Sequence, residues 1–282
     1  MKTIPMLDWQ KVDVIIDNAL AEDLDNGDVT TNYLFEPTEI AHAVMKAKAA
    51  GVIAGLPVAE RVFRRLAPQV DWKTRVSEGG AVSPGDVIAE IKGTRRALLT
   101  GERLALNILQ RLSGIATLTA RFVNAVQGLP VKILDTRKTL PGLRVLEKYA
   151  VAVGGGVNHR FGLFDAVMIK DNHIKLAGGI RRAVEKIRRK NVNHLSIEVE
   201  TSTLAEVEEA LSADADIIML DNMSNADMRA AVQLINKRAI TEASGGVTLE
   251  TVRGIAETGV DRISVGALTH SPQALDIALY FQ

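Results

Sequence analysis

The second half of the chain alternates short apolar runs with longer amphipathic segments. Six runs have the length and β-branched content of buried strands, at 131–135, 166–170, 195–200, 216–221, 239–244 and 262–267. Helical periodicity lies between them, at 181–190, 204–211, 226–236 and 249–258. Strands that alternate with helices at this spacing form a parallel sheet. The pattern predicts an incomplete or irregular α/β barrel of about six to seven strands, fewer than the eight of a full barrel.

The first half has a different pattern, which predicts a separate mixed α/β domain. Helices are expected at 8–22 and 57–66, a polar loop at 22–31, and short strands at 41–47 and within 76–93. The stretch 100–127 is strongly helical, and Gly114 permits either a break or close packing there. The segment 76–93 also resembles the half-barrel of biotinyl carrier domains. Those present a lysine on a tight hairpin between methionines, and Lys92 has no such neighbours.

Composition and charge exclude several classes of function. Lys plus Arg and Asp plus Glu both number 34 in the 282 residues, so an extended nucleic-acid surface is not expected. The chain contains no cysteine, which excludes disulfides, Cys-ligated zinc and thiol nucleophiles. No apolar run approaches the ~20 residues that span a bilayer, and the N-terminal segment lacks the pattern of a secretory signal. We expect a cytoplasmic protein with no membrane partner.

Charged residues and glycines recur where the six predicted strands end. The carboxyl ends of barrel strands build the active site in this architecture. Arg137, Lys138 and Lys170 follow two of these strands, and His159 and Arg160 lie in the intervening GGGVNHR segment. Read alone, the Arg137–Lys138 pair is a solvated loop. Converging with the other cations, it predicts a pocket for a substrate with several negative charges.

Carboxylates and glycine turns complete the candidate site. Glu200 and Asp221 end successive strands, and they could balance the cations, bind ribose hydroxyls or hold Mg²⁺. Glu198 shares the parity of Glu200 and is expected to face inward one layer lower. The turns 244–246 and 265–267 each follow a strand and are expected to precede a helix, as phosphate cradles do.

The remaining candidate residues are histidines and glycines with supporting roles. His173 is a candidate to orient Lys170 or a carboxylate, whereas His42, His194 and His270 are expected to be structural or exposed. The glycines 154–156 are expected to fold the loop that presents His159 and Arg160.

Several motifs together resemble the quinolinate phosphoribosyltransferase family. These are DTRKTLPGLR at 135–144, GGGVNHRFGLFDAVMIKDNHI at 154–174, IEVET, MLDN and SGGV, with EDLDNGDVTT, GVIAGL and GERLALNILQRLSGIAT upstream. The resemblance covers almost the whole chain, with one departure at Asp25, where the family often has glycine. It implies an N-terminal open α/β sandwich over 1–113, on which 270–282 packs, and a barrel domain over 114–269. It also implies a homodimer, or a hexamer built of dimers.

The resemblance implies a reaction and a role for each site residue. The family transfers phosphoribosyl from phosphoribosyl pyrophosphate to quinolinate with decarboxylation, which makes nicotinate mononucleotide for NAD biosynthesis. Arg137, His159 and Arg160 would grip the quinolinate carboxylates beside Thr136, and Arg103 would reach the site from a neighbouring subunit. Lys138, Lys170, Glu200 and Asp221 would be catalytic, the two acids also holding Mg²⁺ directly or through substrate. The 5′-phosphate would bind Ser244, Gly245, Gly246, Val265, Gly266 and Ala267.

Three alternatives stay open at this point. A paralogue with the same fold, such as the homologue found with molybdenum transport, would act on another acceptor. A phosphate-binding lyase or isomerase would use Lys170 as a Schiff-base lysine, although the surrounding cations fit an anion clamp better. A carrier or scaffold would leave the convergent charges unexplained.

Overall fold

The computed structural model describes residues 4–282, which form two compact units. The first unit contains the residues up to Ala120 together with Thr139–Gly155 and Ser271–Gln282. The second unit contains Arg121–Lys138 and Gly156–His270. The division therefore places the 139–155 segment with the N-terminal part of the chain.

The secondary structure consists of alternating helices and strands, numbered here in chain order. The helices are α1 (Trp9–Leu24), α2 (Val29–Leu34), α3 (Leu56–Leu66), α4 (Arg95–Ala125), α5 (Arg144–Val153), α6 (Asp171–Ala177), α7 (Ile180–Lys190), α8 (Leu204–Ser212), α9 (Asn225–Ile235), α10 (Val252–Ala256) and α11 (Ala267–His270). The strands are β1 (Ile40–Ala47), β2 (Gly51–Val52), β3 (Asp71–Thr74), β4 (Ala81–Val82), β5 (Val87–Thr94), β6 (Lys132–Leu134), β7 (Val167–Ile169), β8 (Ile197–Thr201), β9 (Ile217–Asp221), β10 (Ile240–Ser244), β11 (Arg262–Ser264) and β12 (Ile277–Phe281).

The N-terminal helices begin at side-chain caps. The Asp8 carboxylate accepts from the Lys11 amide at the start of α1, and Asp28 accepts from the Thr31 amide at 2.9 Å at the start of α2. The helix predicted at 8–22 is confirmed. The predicted loop at 22–31 is wrong at both ends, because α1 continues to Leu24 and the Asp28 cap starts a second helix.

The helical stretch predicted at 100–127 is a single helix without a break. Helix α4 runs for 31 residues through Gly114. A Cβ built on Gly114 would lie 2.1 Å from the Gln273 carbonyl oxygen, so the glycine allows the 273–274 backbone to approach the helix. Of the two roles predicted for Gly114, close packing is confirmed and a break is wrong.

The first unit contains a four-stranded antiparallel sheet in the order β12-β1-β5-β3. The C-terminal strand β12 pairs with β1, with Met45 opposite Leu279. Lys92 lies inside β5, opposite His42 on one side and Asp71 on the other. The carrier interpretation is wrong, since Lys92 is paired within the sheet and not presented at a hairpin.

The second unit is built on a parallel sheet of six strands in the order β6-β11-β10-β9-β8-β7. All six predicted strands are present, and helices α7, α8, α9 and α10 confirm the predicted helical intervals. Strand β9 reads as a continuous apolar run because it is buried on both faces, with Ile217–Leu220 all buried. The sheet is an incomplete barrel, and Val157 adds an isolated parallel bridge to Leu134 of β6.

No helix among residues 4–282 is both long enough and apolar enough to cross a membrane. The longest, α4, carries Arg95, Arg96, Glu102, Arg103 and Arg111 along its length.

Candidate functional site

A cavity of about 810 Å³ lies at the carboxyl ends of the parallel strands, entirely within the second unit. Most of the predicted site residues line it: Thr136, Arg137, Lys138, His159, Arg160, Lys170, Glu200, Asp221, Ser244, Gly245, Gly246, Gly266 and Ala267. The strand-end argument therefore located the cavity from the sequence.

Two predicted residues are not part of this lining. Val265 is 1% exposed, because it follows Ser264 at the end of β11 and points to the opposite side, into the core. The Val265 side chain therefore does not face the cavity, and the predicted phosphate contact of this side chain is wrong. Arg103 belongs to the first unit and is exposed on α4, and its predicted role in the site of a neighbouring subunit stays a prediction.

The cationic side of the cavity contains Arg137, Lys138, Arg160 and Lys170. Burial, and after it the charge of Arg137, lower the pKa of Arg160 below its ordinary value. Two guanidinium groups held this close repel each other, so an anion that pairs with both would relieve the repulsion. The site is therefore built to bind a ligand with more than one negative charge.

The loop that carries Arg160 is fixed by a buried carboxylate at the end of β6. Asp135 is completely buried, and it accepts from Asn158 Nδ2 at 2.7 Å and from the His159 amide at 2.8 Å. The Arg160 amide in turn donates to His159 Nδ1 at 2.7 Å. These contacts hold residues 158–160 in one conformation at the cavity wall.

Gly154 contributes to this region by helix packing. A Cβ on Gly154 would lie 2.5 Å from the Ala116 carbonyl oxygen, so the glycine lets the end of α5 approach α4 in the first unit. Gly155, with a φ of 95°, then adopts a turn conformation that L-residues rarely take. The predicted tight fold before His159 is thus achieved largely by close backbone contact.

Lys170 and Glu200 form an ion pair across the cavity wall, from the end of β7 to β8. His173 supports this pair, because its Nδ1 accepts from the Lys170 backbone amide at 3.0 Å. The prediction that His173 orients Lys170 is confirmed for the backbone of that lysine.

Asp221 and the glycine turn after β10 are linked through Asn222. The Asn222 side chain donates to Asp221 Oδ2 at 2.7 Å, and its backbone amide donates to the Ser244 carbonyl at 2.9 Å. Gly245 has a φ of 97°, and a Cβ there would lie 2.1 Å from Asn222 Oδ1. Gly246 has a φ of 58° with no atom within 4 Å of its Cβ position. Its backbone amide is therefore approachable by a ligand.

Each glycine turn was predicted to precede a helix. A helix does follow each turn, but one begins several residues later and the other is very short. The helix after the 244–246 turn begins only at Val252, because Thr248 and Thr251 form a side-chain turn in between. After β11 the helix α11 contains only 4 residues. Backbone amides of the turns, and not a helix dipole, are the groups that this architecture offers to a phosphate.

A charged layer lies directly beneath the cavity, where Glu198 and Glu242 are 2% and 0% exposed. His159 Nε2 lies 3.1 Å from Glu198 Oε2 and 3.2 Å from Glu242 Oε1. Burial opposes protonation of this ring, but the two carboxylates outweigh it and raise the pKa of His159 to about 9. Burial, and to a smaller extent the charge of Glu242, raise the pKa of Glu198.

The inward orientation predicted for Glu198 is confirmed by these contacts. Both ring nitrogens of His159 face groups of the protein, since Nδ1 accepts from the Arg160 amide. The predicted grip of His159 on a substrate carboxylate stays a prediction.

Several cavity residues were not predicted from the sequence. They are Met168, Met219, Asn222, Val247, Thr248, Ser264 and His270. Strand parity could have found Met219, which is two positions before Asp221, and Ser264, which is two positions before Gly266. His270 is exposed, as expected, and it also lines the cavity at the end of the short helix that follows Gly266.

Together, the parallel α/β sheet, the cationic wall, the acidic strand ends and the glycine turns define a phosphate-handling barrel enzyme that binds a polyanionic substrate. Comparison with known sequences then identifies the family. The profile described as quinolinate phosphoribosyl transferase, C-terminal domain, matches residues 115–280, and the corresponding N-terminal domain matches residues 28–113. The chain belongs to the quinolinate phosphoribosyltransferase family.

Individual relatives resemble this chain over most of its length. A protein named as a probable nicotinate-nucleotide pyrophosphorylase (carboxylating) from Synechocystis sp. is 49% identical over 275 residues, covering 96% of this chain and 92% of that protein. Quinolinate phosphoribosyltransferase (decarboxylating) 1b from Nicotiana tabacum is 45% identical and covers 94% and 81%. The crystal structure of NadC from Streptococcus pyogenes superposes with a TM-score of 0.94 at 42% identity, covering 99% and 100%.

Proposed function

We propose that this protein transfers the phosphoribosyl group of phosphoribosyl pyrophosphate to quinolinate and removes one carboxylate. The products are nicotinate mononucleotide, carbon dioxide and pyrophosphate, and the reaction belongs to de novo NAD biosynthesis. The observation that carries the proposal is one cavity that combines four cationic side chains with two acids and a glycine turn, in a chain of this family.

The cationic wall is the proposed quinolinate site. Arg137 and Arg160 would bind the two adjacent carboxylates with their planar forks, with Lys138 and Lys170 between the acid and the phosphates. A nicotinate molecule would leave part of this positive charge without a partner. The wall therefore favours the diacid over the monoacid.

The acids and glycine turns of the cavity are the proposed site of the ribose and its phosphates. Glu200 and Asp221 would bind ribose hydroxyls, and the turns at Ser244–Gly246 and Gly266–Ala267 would hold the 5′-phosphate through backbone amides. The carboxylate oxygens of Glu200 and Asp221, facing a cavity large enough for substrate phosphates, are the donor set that Mg²⁺ prefers. Bound there directly or through substrate, Mg²⁺ would neutralise charge on the departing pyrophosphate.

The residues then perform the reaction mainly by positioning and electrostatics. The cationic wall orients the pyridine nitrogen toward the anomeric carbon, where positive charge develops as pyrophosphate leaves. Glu200 and Asp221 stabilise that charge on the sugar. Once the ring nitrogen is quaternised, loss of the adjacent carboxylate as carbon dioxide leaves a carbanion that the cationic ring itself stabilises, and uptake of a proton from solvent at that carbon gives the product.

As part of the same proposal, the enzyme acts in the cytoplasm as a homodimer or as a hexamer of dimers. The exposed position of Arg103 on α4 supports a role in the site of a neighbouring subunit. The absence of cysteine suits a reducing compartment.

The test is a direct assay of the purified protein with Mg²⁺ and phosphoribosyl pyrophosphate. Quinolinate and nicotinate are supplied separately, and mononucleotide and carbon dioxide are followed. We expect product from quinolinate and at most a trace from nicotinate. A folded protein that does not convert quinolinate would contradict the proposal and favour a paralogue with another acceptor.

Borohydride trapping distinguishes the proposed transferase from a Schiff-base lyase, because in a lyase it would fix the substrate covalently to Lys170. We expect no adduct, because Lys170 is ion-paired with Glu200, whereas Schiff-base lysines are activated by an apolar pocket or a neighbouring cation.

A further inference from the structure

The buried layer under the cavity contains three titratable groups in mutual contact. The ligand atoms of His159, Glu198 and Glu242 all lie within 4.8 Å of one another. The Ser264 hydroxyl donates to Glu242 Oε1 at 2.5 Å, and the Arg262 charge also acts on Glu198. One oxygen of each carboxylate, Glu198 Oε1 and Glu242 Oε2, is buried without a hydrogen-bond partner. This layer is not accounted for by the proposed substrate contacts.

The backbone of Arg160 decides which nitrogen of His159 carries a proton. Its N–H donates to Nδ1, so Nδ1 holds a lone pair and the hydrogen is on Nε2. Nε2–H then faces Glu198 Oε2 and Glu242 Oε1. A metal ion at Nε2 would require an imidazolate, since both nitrogens would then lack hydrogen. The geometry therefore favours a proton over a metal at the centre of the cluster.

We propose that Glu198 and Glu242 are positioning residues for the anion clamp: they hold the His159 ring from its Nε2 side so that its Nδ1 fixes the Arg160 backbone. Asp135 fixes the preceding residue from the other side, so the Arg160 guanidinium approaches a substrate carboxylate from a rigid loop. This inference rests on the proposed function for its kinetic readout only.

The kinetic test compares truncation of each glutamate side chain with an isosteric replacement. Glu198→Ala and Glu242→Ala release the ring, so each is expected to raise KM for quinolinate at least about tenfold, since a misplaced binding group costs up to about 100-fold. KM for phosphoribosyl pyrophosphate is expected to stay within about threefold. Glu198→Gln keeps the shape of the side chain and an oxygen that can accept from His159 Nε2–H, so it is expected to keep both constants within about threefold.

The matched control is Val199→Ala on the same strand. Val199 is completely buried but has the opposite strand parity, so its truncation weakens packing without touching His159. Equal rises of both KM values in the Glu198 and Glu242 variants, or the same rise in Val199→Ala, would overturn the proposal. So would a Glu198→Gln variant as impaired as Glu198→Ala.

The second test does not depend on activity. Nitrogen-15 spectra of histidine-labelled wild-type protein at pH 10, above the raised pKa of His159, report which ring nitrogen carries the hydrogen, and the His159 signals are assigned by their loss in His159→Gln. We expect a bare Nδ1 and a protonated Nε2. A hydrogen on Nδ1 would reject the proposed arrangement even if quinolinate is converted, and the expected pattern would stand even if the acceptor proves different.

Discussion

At the level of single residues, Arg160 is the group whose environment most clearly requires an anion. Its pKa is lowered by burial and by Arg137, so the pocket without ligand contains two cations that repel. A cation pair of this kind gains most from a ligand whose carboxylates are fixed at adjacent ring positions. The specificity for a diacid is therefore expected to depend on guanidinium geometry more than on total charge.

We predict that Arg160→Ala raises KM for quinolinate by about ten- to hundredfold, the range expected for loss of a hydrogen bond to a charged group. KM for phosphoribosyl pyrophosphate should change little. Arg253→Ala is the control, because Arg253 pairs with Glu257 on α10 and does not line the cavity. Steady-state kinetics with each substrate varied in turn decide the result, and an equal loss for both substrates would contradict the assigned role.

Sequence reasoning found the residues that stand at strand ends and missed those positioned by tertiary contact. Glu200 and Asp221 were accessible because strand parity and the end of an apolar run fix their direction. The same parity relates Glu242 to Ser244, so Glu242 could have been found. Asn222 and His270 could not, since their place in the cavity depends on a turn and on a four-residue helix that have no periodic signal.

At the level of elements, the turn after β10 combines two glycines with different constraints. Both have positive φ, but only Gly245 is closed in by a neighbour, the Asn222 side chain. The Asn222 side chain also donates to Asp221, the acid that we assign to the ribose. A substitution at Gly245 that displaces Asn222 would therefore also disturb Asp221.

We predict that Gly245→Ala and Gly246→Ala both destabilise the fold, each by about 1–2 kcal/mol for the left-handed backbone. Gly245→Ala should in addition displace Asn222 and raise KM for phosphoribosyl pyrophosphate more than Gly246→Ala does. Urea unfolding gives the stability and initial rates give KM. Equal kinetic effects of the two variants would show that the contact with Asn222 is irrelevant to binding.

Two glycines of α4 provide a comparison of packing along one helix. A Cβ on Gly114 would meet the Gln273 backbone, whereas one on Gly101 would meet the Phe63 ring at 2.9 Å, and a ring can tilt. Alanine is the better helix former by about 1 kcal/mol, which offsets part of either clash. We predict that Gly114→Ala lowers the free energy of unfolding by about 1–3 kcal/mol and that Gly101→Ala has a clearly smaller effect. Urea denaturation of both variants checks this order, which the reverse ranking would refute.

The elements that were not predicted from the sequence lie outside the alternation of strands and helices or have no pairing strand nearby in the chain. Helix α5 has a helical pattern, but it follows directly on DTRKTLPGLR, whose charges drew the interpretation toward a loop. Strand β12 pairs with β1 more than 200 residues earlier, as between Leu279 and Met45, and no local pattern reveals so distant a partner. The parallel strands were found because each is a short, largely buried run that alternates with a helical segment, although Glu198 and Glu242 interrupt two of these runs.

At the level of the whole molecule, the remaining question is which subunit supplies Arg103. The cavity is formed within the second unit, and Arg103 is exposed in the first. If Arg103 acts on the site of a neighbouring subunit, no single chain possesses a complete site. Activity would then depend on assembly, and dilution below the dissociation constant of the dimer would abolish it.

We predict that Arg103→Ala and Arg137→Ala proteins, each nearly inactive alone, recover activity when their subunits are mixed. In a mixed dimer, the subunit with intact Arg137 faces a partner with intact Arg103, so one of its two sites is complete. Random exchange of equal amounts makes half of the dimers mixed, which restores about a quarter of the wild-type sites. If Arg103 instead acted within its own chain, every site in every dimer would lack one arginine. No recovery after exchange, verified by native mass spectrometry, would therefore place Arg103 in the site of its own subunit.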